Sequence, residues 1–122
     1  MVRLVALGFS ALILSGVAAK AGDAVKGKSV FTRCAICHTV EKGGGNGLGP
    51  NLFGVVGRKA GTAPGFSYSA AMKGSGITWT PDKLSAYVTH PGAIVPGNRM
   101  AFAGIGNPEQ VADVVAYLSS LK

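Results

Sequence analysis

Cys34-Ala35-Ile36-Cys37-His38 gathers both cysteines and one of the two histidines of this 122-residue chain into five positions. With cysteine and histidine this scarce, such a cluster arises by chance at about 5 × 10⁻⁴ per chain, so the motif is specific. Its spacing has a chemical reason. Two thiols at i and i+3 on a helical turn can add to the two vinyl groups along one edge of a haem. The following residue then places an imidazole over the iron, which is the c-type attachment pattern. Other readings of the same residues carry less. A thioredoxin-like Cys-x-x-Cys needs a βαβ context that is absent here. Structural zinc needs four ligands and usually a second Cys or His pair. A buried structural disulfide is the remaining use of two thiols.

Iron held by His38 needs a sixth ligand, and the candidates are Met72, His90 and Met100. A thioether in a loop rich in Gly and Pro can be held at a fixed distance without helical constraint, which favours Met100. Met72 reads as core filler, a common use of methionine. His90, just before Pro91, reads as a partly exposed residue at a helix end. His/Met pairing raises the haem potential by favouring ferrous iron.

The elements that must position these groups are helices. Asp23 can cap a helix running to about Cys34, with Ala24, Gly27, Val30, Phe31 and Cys34 on one face. Gly27 is costly there, about 1 kcal/mol against Ala, and a close helix crossing would explain it. Residues 42–65 are loop, too long to be idle in a compact domain. Ser67 or Ser69 opens a short helix through Met72. Thr80-Pro81 reads as N-cap and first-turn proline of a helix carrying Leu84, Tyr87 and Val88. Pro91 ends it, because the residue before a proline avoids the helical region. Residues 92–106 form a second loop. Asn107-Pro108-Glu109-Gln110 opens the last helix, with a stripe of Val111, Val114, Val115, Leu118 and Leu121. Nothing alternates with period two for long enough to make a sheet. The reading is all-α, with three or more helices and two long loops.

Composition agrees with a cofactor-built core. After position 21, 17 of 101 residues are Gly, more than twice the usual ~7%. So flexible a chain needs more apolar mass than its own side chains supply. Only 14% of residues are charged, too few for the signature of disorder. Two cysteines exclude a multi-disulfide scaffold. Residues 1–21 read as an export signal: a basic start at Arg3, sixteen uncharged residues from Leu4, and the small-x-small end Ala19-Lys20-Ala21. Sixteen residues fall short of the ~20 that span a bilayer. Cleavage after Ala21 leaves residues 22–122 as one domain carrying +5, exported from a bacterial cytoplasm to the periplasm.

At this point the chain resembles the class I cytochromes c, small monohaem electron carriers, in the mitochondrial-like bacterial branch. The resemblance spans residues 22–122. It rests on Gly27 and Phe31, on His38-Thr39-Val40-Glu41-Lys42-Gly43-Gly44, Gly49-Pro50-Asn51-Leu52 and Gly57-Arg58-Lys59. It continues through Pro64-Gly65-Phe66-Ser67-Tyr68, Gly76-Ile77-Thr78-Trp79, Pro96-Gly97-Asn98-Arg99-Met100 and Phe102-Ala103-Gly104-Ile105. It implies the cytochrome c fold, with first and last helices crossing and shorter helices and Gly/Pro-rich loops wrapped around one covalent haem. Haem c would be bound through Cys34 and Cys37, with iron ligands His38 and Met100. By the same resemblance the Pro50 carbonyl accepts from His38, Tyr87 hydrogen-bonds near the methionine sulfur, and Arg58, Tyr68 and Trp79 bind the propionates. Gly27, Phe31, Val114 and Tyr117 form the helix crossing.

The resemblance also implies a function: a one-electron shuttle, not an enzyme, and a monomer. Its partners would be a cytochrome bc complex or dehydrogenase as donor and a terminal oxidase or photosynthetic reaction centre as acceptor. A haem enzyme or gas-binding protein with an open or bis-histidine iron site is the alternative. Basic charge without a basic stripe or stacking aromatics argues against nucleic acid. Two departures from the family stand out. Met72 replaces an asparagine that helps hold an inner propionate. Several positions of the family's lysine ring read Ser29, Gly47, Gly92, Ala93, Gly106 and Asn107, leaving Arg99 and Arg33. Docking is therefore expected to rely on apolar contact around Ile36, Leu48, Ala93 and Ala101 more than on charge.

Overall fold

A computed structural model describes residues 22–122 and Gly8. The export signal expected over residues 1–21 otherwise lies outside the described residues. Five helices follow in chain order: α1 Ala24–Phe31, α2 Ala70–Lys73, α3 Pro81–Thr89, α4 Pro91–Ile94 and α5 Pro108–Ser120. Among the described residues the single piece of β-structure is an isolated antiparallel bridge between Lys59 and Thr78. No helix among them is long and apolar enough to cross a membrane.

Each longer helix begins where a side chain satisfies its orphan amides. The Asp23 carboxylate accepts from Val25 and Lys26 N–H at 2.9 and 3.1 Å. Thr80 Oγ1 accepts from Lys83 N–H at 3.2 Å, with Pro81 at the first helical position. Asn107 Oδ1 accepts from Glu109 and Gln110 N–H at 2.9 and 3.3 Å. Of the two serines proposed for α2, Ser69 is the cap, accepting from Met72 N–H.

Two boundaries differ from the sequence reading. The first helix stops at Phe31 instead of Cys34. The amides of Thr32, Arg33 and Cys34 reach back only three residues, to Ser29, Val30 and Phe31. That tighter winding rotates the attachment segment off the α-helical path. Pro91 does end α3, but it also starts α4, within the segment expected to be loop. Its fixed φ suits a first helical turn, and the His90 carbonyl accepts from Ala93 and Ile94 N–H.

The helices α1 and α5 cross in direct backbone contact. A Cβ on Gly27 would overlap the Asp113 carbonyl and stand 2.8 Å from Tyr117 Cβ, so the crossing admits only glycine. Phe31 and Tyr117 pack beside it, ring centroids 5.3 Å apart, and Asp23 N–H donates to the Asp113 carboxylate at 2.8 Å. Val111, Val114, Val115 and Leu118 of α5 are buried with Phe31, Trp79, Leu84, Tyr87, Val95 and Ile105. Leu121, expected on the same stripe, lies just past the helix and is half-buried. Around this modest core stands a half-buried apolar rim that includes Val40, Leu52, Met72, Ile94, Met100 and Phe102.

Candidate functional site

The turn that leaves α1 carries Cys34 and Cys37, both half-buried and neither bonded to the other. Burial pushes the Cys34 thiol up from its ordinary value, with Arg33 opposing and Cys37 adding to the rise. Backbone bonds from Cys37 and His38 N–H to the Cys34 carbonyl, at 3.0 and 2.9 Å, close the turn and fix the imidazole one step beyond the second thiol.

His38 is anchored from the loop after it. Its Nδ1 lies 2.8 Å from the Pro50 carbonyl oxygen, the contact expected from the resemblance. Burial holds the imidazole below its ordinary pKa, outweighing the Pro50 bond, which acts the other way. A neutral ring that donates from Nδ1 leaves the Nε2 lone pair available to a metal. Gly49 makes the approach possible: a Cβ there would stand 2.5 Å from Cε1 and 2.8 Å from Nδ1. Gly49 N–H also donates to the Cys37 carbonyl at 2.8 Å, binding the loop to the attachment turn.

Met100 comes from the loop after α4 and is half-buried. Its N–H donates to Asn98 Oδ1 at 2.8 Å, and Asn98 Nδ2 donates to the Val95 carbonyl at 2.9 Å. The thioether faces the Tyr87 hydroxyl, which donates to Sδ at 4.0 Å, the long end for sulfur. Burial pushes the Tyr87 phenol up to about 12, so it stays a donor across ordinary pH. Its ring packs on Trp79, centroids 4.9 Å apart.

The Lys59–Thr78 bridge and its flanking bonds join two of the three residues expected at the propionates, Arg58 and Trp79. Trp79 is buried, its N–H bound to the Arg58 carbonyl at 2.9 Å. Arg58 donates from Nη2 to the Asn51 carbonyl at 3.0 Å and from Nη1 to the Phe53 carbonyl at 3.3 Å, which leaves it further N–H donors. Tyr68 Oη accepts from Ala63 N–H at 2.9 Å, and its own proton remains available to an acceptor. Met72 is half-buried against the core, as filler would be. His90 is exposed at the corner between α3 and α4.

The sequence reading gave no role to Asn46, and named Asn51 only within the Gly49-Pro50-Asn51-Leu52 match. Asn51 Nδ2 donates to the Glu41 and Gly44 carbonyls at 2.9 and 3.1 Å, and its Oδ1 accepts from Phe53 N–H at 2.8 Å. It therefore stiffens the loop that presents Pro50. Its only sequence signal is its place directly after that proline.

The donor set fits a covalently attached haem: two thiols one turn apart, an imidazole with one nitrogen engaged, and a half-buried thioether held by a loop. The half-buried rim supplies apolar walls. Among the described residues no group of three or more His, Cys, Asp or Glu is placed to hold a metal ion by itself. The family model for cytochrome c matches residues 24–122. The chain belongs to the cytochrome c family. Members carry one covalently attached c-type haem and transfer electrons; they are not enzymes. The chain is 48% identical over 116 residues to cytochrome c2 of Rhodomicrobium vannielii, covering 95% of this chain and 93% of that protein. It is 52% identical over 102 residues to cytochrome c2 of Rhodopila globiformis, 83% and 95% covered. The solved structure of cytochrome cH from Methylobacterium extorquens superimposes with a TM-score of 0.77 at 45% identity, covering 81% of this chain and 99% of that one. The all-α cytochrome c fold and the covalent haem expected from the sequence are thus both established.

Proposed function

We propose that this cytochrome c is a soluble periplasmic one-electron shuttle whose haem is attached through Cys34 and Cys37 and ligated by His38 and Met100. The observation that carries the ligand assignment is the pair of anchors. Pro50 holds one face of His38 at 2.8 Å, and Tyr87 faces the Met100 sulfur at 4.0 Å. The Pro50 bond engages His38 at Nδ1 and leaves Nε2 for iron, whereas the Tyr87 hydroxyl meets the Met100 sulfur itself, whose second lone pair is left for iron. Haem iron supplies the chemistry, cycling between ferric and ferrous states. The chain's part is to keep the ligands fixed in both states, so that little reorganises when an electron arrives. Met100 favours the ferrous state, and the apolar rim limits water. Arg58, Tyr68 and Trp79 supply donors to propionate charge that burial would otherwise penalise.

The electron enters and leaves through membrane redox complexes: a cytochrome bc complex or dehydrogenase on one side, a terminal oxidase or photosynthetic reaction centre on the other. Residues 1–21 serve as the cleaved export signal. The docking face is apolar in character. Ile36 is 78% exposed between the two cysteines, and Leu48 is 83% exposed on the loop tied to the Cys37 carbonyl. Ala93 and Ala101 are exposed as well.

Visible absorption of the purified protein tests the ligand assignment. The ferric form is expected to show the weak far-red band of methionine sulfur on iron, and Met100→Ala to lose it. A covalent haem without that band would make the sixth site His90 or open, and ligand binding and peroxidase activity would then define the protein.

A further inference from the structure

Asn46-Gly47 is the only Asn-Gly step in the chain, and the fold demands both residues. A Cβ on Gly47 would stand 2.5 Å from the Cys37 carbonyl oxygen, within the attachment turn. Asn46 ties two loops together: Nδ2 donates to the Pro64 carbonyl at 2.9 Å, and Oδ1 accepts from Asn51 N–H at 2.8 Å. Structural need has thus placed a chemically labile pair beside the loop that presents Pro50 to His38.

The lability is general chemistry. The backbone nitrogen of the following residue can attack the asparagine Cγ, closing a succinimide ring and expelling the side-chain nitrogen as ammonia. Water then opens the ring to aspartate or isoaspartate. Glycine in the following position offers no Cβ to obstruct the attack and the freest backbone to reach it. In the folded protein that geometry is withheld. Both ends of the Asn46 amide are engaged, and Gly47 N–H is turned to the Gly49 carbonyl at 3.0 Å. Attack requires the turn to open.

We propose that Asn46 is a spontaneous deamidation site of this protein, with water the only co-reactant, held in check by its ties to Pro64 and Asn51. Conversion makes each opening permanent. An aspartate side chain has no N–H for the Pro64 carbonyl, and an isoaspartate reroutes the backbone as well. The loop carrying Pro50 and Asn51 then loses its tie to the Pro64 loop, and the chain loses one positive net charge.

The haem-loaded full protein can be aged in mildly alkaline buffer, in urea from zero to full unfolding, and digested with trypsin. Cleavage after Lys42 and Arg58 releases one peptide holding both Asn46 and Asn51, so Asn51, followed by bulky Leu52, is an internal control. The unfolded chain should convert at Asn46 and spare Asn51. The native protein should convert roughly tenfold or more slowly, accelerating in urea below the global transition as local opening becomes easier. Equal rates in folded and unfolded protein, or no conversion at Asn46 once unfolded, overturns the proposal. Hydrogen exchange at the Ala63 amide, which donates to Tyr68 Oη beside Pro64, tests the consequence, because an aspartate in place of Asn46 still offers an oxygen to Asn51 N–H. It should quicken roughly tenfold in Asn46→Asp and in the aged wild type, which covers poor folding of the variant. Unchanged exchange in converted protein overturns the loss of the tie.

Discussion

Replacing Gly27 by alanine sets two calculable effects against each other. In an isolated helix the change is favourable by up to ~1 kcal/mol, because alanine loses less backbone freedom. At the crossing of α1 and α5 it is not. The new Cβ would stand 2.5 Å from the Asp113 carbonyl carbon and 2.8 Å from Tyr117 Cβ, where carbon atoms rest at ~3.5–4.0 Å. The obstacle on α5 is backbone, which cannot rotate aside, so the helices must part by about 1 Å. A gap of that size forfeits a quarter to a half of the dispersion energy of the contacts it opens. The contacts at stake include the Phe31–Tyr117 pair and the bond from Asp23 N–H to the Asp113 carboxylate. Overpacking of this kind costs ~1–3 kcal/mol and occasionally more. With the Asp23–Asp113 bond stretched as well, the net loss expected after the propensity gain is about 2 kcal/mol. For a domain of this size that lowers Tm by roughly 8–16 °C. Urea unfolding of the haem-loaded protein, followed by Trp79 fluorescence and far-ultraviolet circular dichroism, measures it. Gly45→Ala is the control: no atom lies within 4 Å of its Cβ position and its φ is not positive, so it should stay within ~1 kcal/mol of the parent. A Gly27→Ala protein as stable as the parent, or more so, would refute the argument that backbone contact dictates glycine here.

Gly49→Ala pushes a Cβ into the His38 ring, 2.5 Å from Cε1; it should cost ~1–3 kcal/mol and shift the electron paramagnetic resonance of the ferric haem. An unshifted spectrum would mean the imidazole is not set by Gly49. Tyr87→Phe removes the hydroxyl facing Met100 Sδ. Because that contact is long, the stability change should be no more than about 1 kcal/mol, while the far-red methionine band should weaken or move; an unaltered band would show that the hydroxyl does not tune the sulfur. Electron transfer to the natural oxidase should fall less than roughly tenfold between low and moderate salt, since exposed Ile36 and Leu48 dominate the face and long-range steering needs charge. A steeper fall would indicate a charge-led encounter.

What the sequence settled about this protein was local. The spacing of Cys34, Cys37 and His38 dictated covalent haem before any fold was considered, because the chemistry needs only adjacent residues on one turn. Helix starts at Asp23, Thr80 and Asn107 were legible for the same reason, and that of α2 was narrowed to Ser67 or Ser69, since a cap bonds amides two or three residues away. The family resemblance supplied the pairing of His38 with Pro50 and of Tyr87 with Met100; their spacings of 12 and 13 residues through loops carry no such signal. Tertiary structure decided the rest. The first helix yields to tighter turns after Phe31, and Pro91 opens a helix as well as closing one. Gly49 lies against an imidazole eleven residues away, and Asn46 joins Pro64 to Asn51. Such contacts depend on where distant backbone segments come to rest once the core has packed, and a one-dimensional pattern holds no record of that distance.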